Sequence, residues 1–170
     1  MSTLQKAADA AAETADAPIM IEPRISNPAG LVPDAWEGIQ KLLLAVHKGG
    51  VPASTLELTH MRASQINGCS ACIEGAVRHA RKAGQVADRL LAVAAWRHSS
   101  QFTAAERAAL ELAEAITRLA DRSDPVSDDI WNRAAEHYDE RALAALVLHV
   151  ALTNLFNRLN VSTQQPPGDW

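Results

Sequence analysis

Between Glu140 and Asn160 the residues Ala145, Leu148, Leu152, Leu155 and Leu159 recur at steps of three and four. This is the spacing of one stripe on an α-helix, whereas strand side chains alternate with period two. Nothing elsewhere argues for sheet: aromatic residues make up 4% of the chain while alanine fills 33 of its 170 positions, a balance that suits helices. The expected fold class is all-α. With 48% hydrophobic residues, a chain of this length forms one domain with a sizeable core.

Proline and glycine divide the chain into helices. Pro33 reads as a first-turn residue ahead of Trp36, Ile39, Leu43 and Val46, and Gly49-Gly50 stops that helix. Pro52 opens a second, with Leu56, Thr59, Ala63 and Ile66 on one stripe up to the Asn67-Gly68 break. A third spans about 70–82 and stops at Gly84, and a fourth over 86–97 turns Leu90, Val93 and Ala94 inward. Thr103 and Glu106 form a capping box that starts a helix over 103–121, a shorter helix covers 128–138, and 140–160 is expected to be the central packing element. Ahead of these, residues 1–17 read as a solvated Ala-rich arm. Residues 18–32 read as extended, because Pro23, Pro28 and Gly30 break any helical period. The expected division is an arm over 1–32, a helical domain over 33–161 and a tail over 162–170, where Pro166-Pro167-Gly168 cannot extend a helix.

Charge and hydropathy narrow the function classes. A formal net charge of −4 and the lack of any Lys/Arg-rich run give no electrostatic footprint for nucleic acid. The longest nearly apolar stretch, Ala142 to Ala151, is interrupted by His149 and falls short of the roughly 18 to 20 residues of a membrane span, so no membrane partner is expected. The first 17 residues carry Lys6, Asp9, Glu13 and Asp16 without the apolar run of a secretory signal. The cytoplasm is the expected compartment.

Both cysteines of the chain lie in Cys69-Ser70-Ala71-Cys72. Two cysteines make no disulfide scaffold, and in a reducing compartment their spacing asks for a chemical explanation. They stand where the third helix begins, and unpaired N–H groups and the positive end of the helix dipole favour a thiolate there. Two intervening residues also let the sulfurs close a reversible disulfide, as a two-electron redox cycle requires. The alternatives are small core residues or half of a zinc site, which no second C-x-x-C or paired histidines complete. Redox chemistry is the favoured reading.

If helices 52–67 and 70–82 fold back antiparallel about Gly68, Glu57 lies opposite positions 76–79, and Cys72, Ala76 and His79 share one face. The seven-residue step from Cys72 to His79 is about 10.5 Å of rise, so His79 is expected to reach the thiol only through water. Taken alone, Glu57 reads as a solvated carboxylate and His79 as a surface or capping group.

The stretch from Glu57-Leu58 through Arg62-Ala63-Ser64-Gln65-Ile66-Asn67-Gly68-Cys69-Ser70-Ala71-Cys72-Ile73-Glu74 to Ala80-Arg81-Lys82-Ala83-Gly84 closely resembles the core of the AhpD-like alkylhydroperoxidases of the carboxymuconolactone decarboxylase superfamily. Arg89-Leu90, Trp96, Phe102-Thr103, Glu106-Arg107-Ala108-Ala109 and Asn154-Leu155-Phe156-Asn157-Arg158-Leu159 continue the likeness, which covers about 35–160.

The resemblance implies an AhpD-like helical fold with the CxxC at the start of a central helix, assembled as a homo-oligomer, a trimer or hexamer. It implies thiol-dependent peroxide reduction: a hydroperoxide substrate, a thiol or dihydrolipoyl-type reductant, and no metal or cofactor. Cys72 would attack the peroxide, Cys69 would resolve it, and Glu57 would serve a proton relay. In redox-active members a histidine follows the second cysteine after three residues, and here that position is Ala76. Ala71 stands where some members carry another. An imidazole exchanges protons near neutral pH and a methyl does not, so a weakened relay is expected. The alternative is a non-redox member, lactone decarboxylase-like or a helical oligomer with a binding role, which would not need the cysteine pair.

Overall fold

The computed structural model describes residues 21–83 and 88–167. Among them lie eight α-helices and no strand. In chain order these are α1 (Pro28–Leu31), α2 (Ala35–His47), α3 (Ala53–Ile66), α4 (Ser70–Lys82), α5 (Asp88–Ala92), α6 (Ala104–Thr117), α7 (Asp128–Ala135) and α8 (Glu140–Thr163). A 3₁₀ segment, Val93–His98, follows α5, and a 3₁₀ turn, Leu119–Asp121, follows α6. The expected Ala-rich arm over 1–17 and the stop at Gly84 lie outside the described residues.

Local chemistry explains where these elements depart from sequence periodicity. The Asn27 side chain accepts from the Ala29 N–H and Pro28 occupies the first turn, so a short helix forms inside the arm expected to be extended. Asp34 is left-handed at φ 64°, so α2 starts at Ala35 and Pro33 stays outside it. In α6 both halves of the capping box form, but Arg118 leaves helical dihedrals and the helix ends at Thr117, short of 121. The expected fourth helix is α5 followed by the 3₁₀ segment, itself kinked at a non-helical Ala95; the segment buries Val93 and Trp96 but leaves Ala94 exposed.

Glu114 of α6 holds that segment. It accepts from the Trp96 indole at 2.9 Å and pairs with Arg62 and Arg97. Arg107 donates to the carbonyls of Trp96, Arg97 and Ser99. Burial works to raise the Glu114 carboxyl, but the Trp96 and Arg97 hydrogen bonds and the Arg62 charge outweigh it, leaving it below the ordinary carboxylate range.

The helix α3 lies at the centre, packed against α4, α6, α8 and the 3₁₀ segment. Its Leu56 joins Val46, Leu112 and Leu146 in one core cluster. Its Leu58 and Met61 join Val93, Trp96 and Leu110 in another. The helix α8 therefore shares the central role expected of it alone. Its buried face carries Ala142, Leu143, Leu146 and Val150 rather than the whole leucine stripe, and Leu148 and Leu155 are exposed. A helix that is apolar nearly all round does not announce its inner face by leucine spacing. By length and composition α8 could cross a membrane, yet 56% of its apolar window is buried inside the fold, as befits a core helix. A Cβ at Gly49 would collide with Ala145, so glycine lets the end of α2 close on α8. Arg24 ties the arm to the far end of α8 through the carbonyls of Ser162 and Thr163.

Candidate functional site

The cysteine corner is built by one turn. The helix α3 ends at Ile66 with Asn67 as its C-cap, and Gly68 takes a left-handed conformation at φ 65° that a side chain would strain. Cys69 then becomes the N-cap of α4, its sulfur accepting from the Cys72 N–H at 3.3 Å. Cys69 and Cys72 are joined in a disulfide with their Cα atoms 5.4 Å apart. The two sulfurs are not equivalent: Cys69 is sealed in the interior, while Cys72 lines a cavity of about 620 Å³.

Glu57, Cys72, Ala76 and His79 all line that cavity, so the helical hairpin brings carboxylate, sulfur and imidazole to one space. Its apolar walls include Trp36, Leu43, Leu56 and Phe156. Trp36 and Phe156 meet edge to face with ring centroids 6.5 Å apart.

Two histidines that sequence reasoning passed over belong to the same wall. His60 follows Glu57 by three residues on α3, and His149 reaches in from α8. Their rings lie 6.5 Å apart. Burial holds His60 below the usual histidine range, partly opposed by a hydrogen bond with the Cys72 backbone. His149 Nε2 meets the Leu56 carbonyl at 2.9 Å, and burial, helped by the His60 charge, lowers it to about 4. Both rings are therefore neutral near pH 7. The signal available for His60 was Glu57-x-x-His60, a carboxylate and an imidazole one turn apart on one face.

Amides of α8 approach the sulfurs, Asn157 from the interior and Asn160 from the cavity wall. Asn157 Nδ2 donates to Cys72 Sγ at 3.1 Å and to Ser64 Oγ at 3.0 Å. Asn160 Nδ2 lies 3.4 Å from Cys72 Sγ and 4.0 Å from Cys69 Sγ. Neither asparagine has a role assigned from sequence, although Asn154, Asn157 and Asn160 recur every third residue along α8. Among the described residues no group of three His, Cys, Asp or Glu side chains is placed to hold a metal ion.

Comparison with known proteins agrees with this architecture. The model of the carboxymuconolactone decarboxylase family matches residues 31–115. The uncharacterized protein YdfG of Bacillus subtilis is 32% identical over 132 residues, 78% of this chain and 88% of that protein. The uncharacterized protein YnjA of Escherichia coli is 38% identical over 111 residues, 64% of this chain and 58% of that protein. Among solved structures, an Agrobacterium tumefaciens protein of unknown function, proposed to be the antioxidant defence protein AhpD, superposes with TM-score 0.77 at 26% identity, over 86% of this chain and 99% of its own. The debrominase Bmp8, solved with 2,3,4-tribromopyrrole, superposes with TM-score 0.71 at 20% identity, over 82% of this chain and 73% of its own. The latter likeness is one of fold.

Proposed function

The chain belongs to the carboxymuconolactone decarboxylase family, and within it we propose that it is a dithiol–disulfide oxidoreductase that reduces organic hydroperoxides. The observation that carries this reading is the inequality of the two sulfurs: Cys72 faces a cavity with room for a substrate, and Cys69 sits behind it at bonding distance.

In the reduced protein the Cys72 thiolate attacks the outer peroxide oxygen. The O–O bond breaks, Cys72 becomes a sulfenic acid, and the alkoxide leaves as an alcohol after taking a proton. The Cys69 thiol then attacks the Cys72 sulfur, forming the disulfide and releasing water. A thiol or dihydrolipoyl-type reductant returns two electrons and two protons, a step suited to the reducing cytoplasm. Glu57 and His60 carry the protons. The neutral His60 ring accepts the thiol proton, and the Glu57 carboxylate passes protons between the cavity and bulk water. Exposed Leu42 and Leu44 on α2 and Leu148 on α8 are surfaces that further copies would cover in a trimer or hexamer.

One residue favours the non-redox reading: Ala76, a methyl where redox members carry the relay imidazole. Counting free thiols of the reduced protein before and after one equivalent of hydroperoxide decides. Loss of both thiols with release of one alcohol per chain supports the peroxidase. Thiols that survive the treatment support the non-redox alternative.

A further inference from the structure

We propose that Asn157 and Asn160 form an amide cradle that holds Cys72 as a thiolate whenever the cysteine pair is reduced. The inference rests on the redox reading of the pair and adds the groups that set its reactivity.

The orientation of Asn157 is fixed by a chain of donors running away from the sulfur. Asn154 Nδ2 donates to the Val150 carbonyl at 2.9 Å, which turns its oxygen toward Asn67. Asn67 Nδ2 donates both to that oxygen at 3.0 Å and to Asn157 Oδ1 at 2.8 Å. Since Asn67 offers only donors at this end, Asn157 must present oxygen to it. Its own N–H groups are thereby aimed at Ser64 Oγ and Cys72 Sγ. The donor at the sulfur is in place before any charge develops, so little reorganisation accompanies reduction.

Asn160 supplies an independent observation. It is 5% exposed, its Oδ1 has no hydrogen-bond partner, and its side-chain donors go to the two sulfurs. Burying a half-satisfied amide disfavours folding. An N–H···S bond to a neutral disulfide is a weak return, whereas a bond to a thiolate is charge-assisted. The amide's placement makes sense for the reduced state. The N-terminus of α4 adds its dipole to the same end of the sulfur pair. Together these groups stabilise the dithiol form with Cys72 deprotonated, which makes the disulfide easier to reduce and the thiol a readier nucleophile.

The test uses the full-length reduced protein and needs no peroxide. The pH dependence of iodoacetamide alkylation at Cys72, followed by mass spectrometry, reports the thiol's midpoint. Equilibration with glutathione reports how readily the disulfide is reduced. Asn160→Ala should raise the midpoint by about one pH unit and lower the equilibrium constant for reduction up to about tenfold, about 30 mV. Asn157→Asp keeps an acceptor for Asn67 while replacing the donor by a charge that repels a thiolate, so its midpoint should rise further; if that variant does not fold, Asn160→Ala decides alone. Leu146→Ala, which loosens the same helix away from the sulfurs, should leave the midpoint in place. Midpoints unmoved in the asparagine variants, or moved as far in Leu146→Ala, overturn the cradle. Shifted midpoints in a protein inert to hydroperoxide support it and remove only the peroxidase reading.

Discussion

The two halves of α8 face the same central helix and do different work. Its first half turns Ala142, Leu143, Ala145 and Leu146 into the core beside Val46, Leu56 and Leu112. Its second half buries Thr153, Asn154, Asn157 and Asn160 with comparable completeness, against Ser64, Asn67 and the cysteines. Apolar burial needs only shape, so the first half could be repacked in many ways. The second half is buried polar structure, tolerable where partners are in place and costly where one is missing. The difference separates what folds the chain from what its site does.

The sharpest way to break that separation is to remove the sulfur proposed to react. Cys72→Ser should abolish hydroperoxide consumption in a coupled turnover assay while leaving the thermal melting of the reduced protein nearly unchanged. Cys69→Ser should still gain one oxygen at Cys72 as a sulfenic acid, visible by mass spectrometry, because only the resolving thiol is gone. An unmodified Cys72 in that variant would overturn the assignment of roles.

The converse change belongs to the other half. Leu146 is fully buried in the core cluster, and Leu146→Ala should cost about 2–5 kcal/mol in chemical denaturation. If the halves are separable, peroxide turnover of the folded fraction stays at the parent level. A loss of turnover as large as that of a cysteine variant would show that core and site are one unit.

The cysteine corner was legible because its signal is local: Asn67-Gly68 gives the turn, and Cys69-x-x-Cys72 at a helix start gives the thiol pair. The capping box at Thr103 and Glu106 was legible for the same reason. Glu57 reached the cavity as the hairpin register required. What sequence left out came from the third dimension. His60 and His149 lie on different helices and meet only because α3 and α8 pack together. Likewise, the asparagines of α8 become sulfur ligands only when the helix is rotated so that Leu148 and Leu155 face outward. A stripe of leucines and a stripe of asparagines competed for the inner face, and along the second half the polar stripe won because it had partners there.

The histidines at the junction of the halves make stability depend on pH. His149 is depressed from 6.5 to about 4, mainly by burial, and His60 is lowered for the same reason. Between these values the unfolded chain binds more protons than the folded one, so stability is complete above about pH 6.5 and falls as pH drops toward 4. The lowered carboxyls of Glu106 and Glu114 lose their contribution only below their ordinary value of 4.5, so the histidines dominate at higher pH. For His149 alone the full loss is about 3 kcal/mol. Urea denaturation at pH 7 and pH 5 should show the decline, and His149→Gln, which keeps a donor for the Leu56 carbonyl, should flatten it. A stability that does not change over this window would mean that the ring is solvated when charged.

The smallest expected effect concerns position 76, on the cavity face of α4. Ala76→His would place an imidazole one turn beyond Cys72, leaning toward the helix N-terminus and across from Glu57. A positioned general acid–base group is typically worth about 10²- to 10⁴-fold. His60 already lines the same cavity, so the gain in initial hydroperoxide turnover should be nearer tenfold, and it should vanish when Glu57→Gln is added. If His60 carries the proton in the parent, His60→Ala should slow turnover more than His79→Ala, and Ala76→His should restore much of the loss. If His79 relays through water instead, the order of the two alanine variants reverses. Turnover indifferent to all three changes would remove the imidazole relay and leave the Cys72 thiolate to act with water alone.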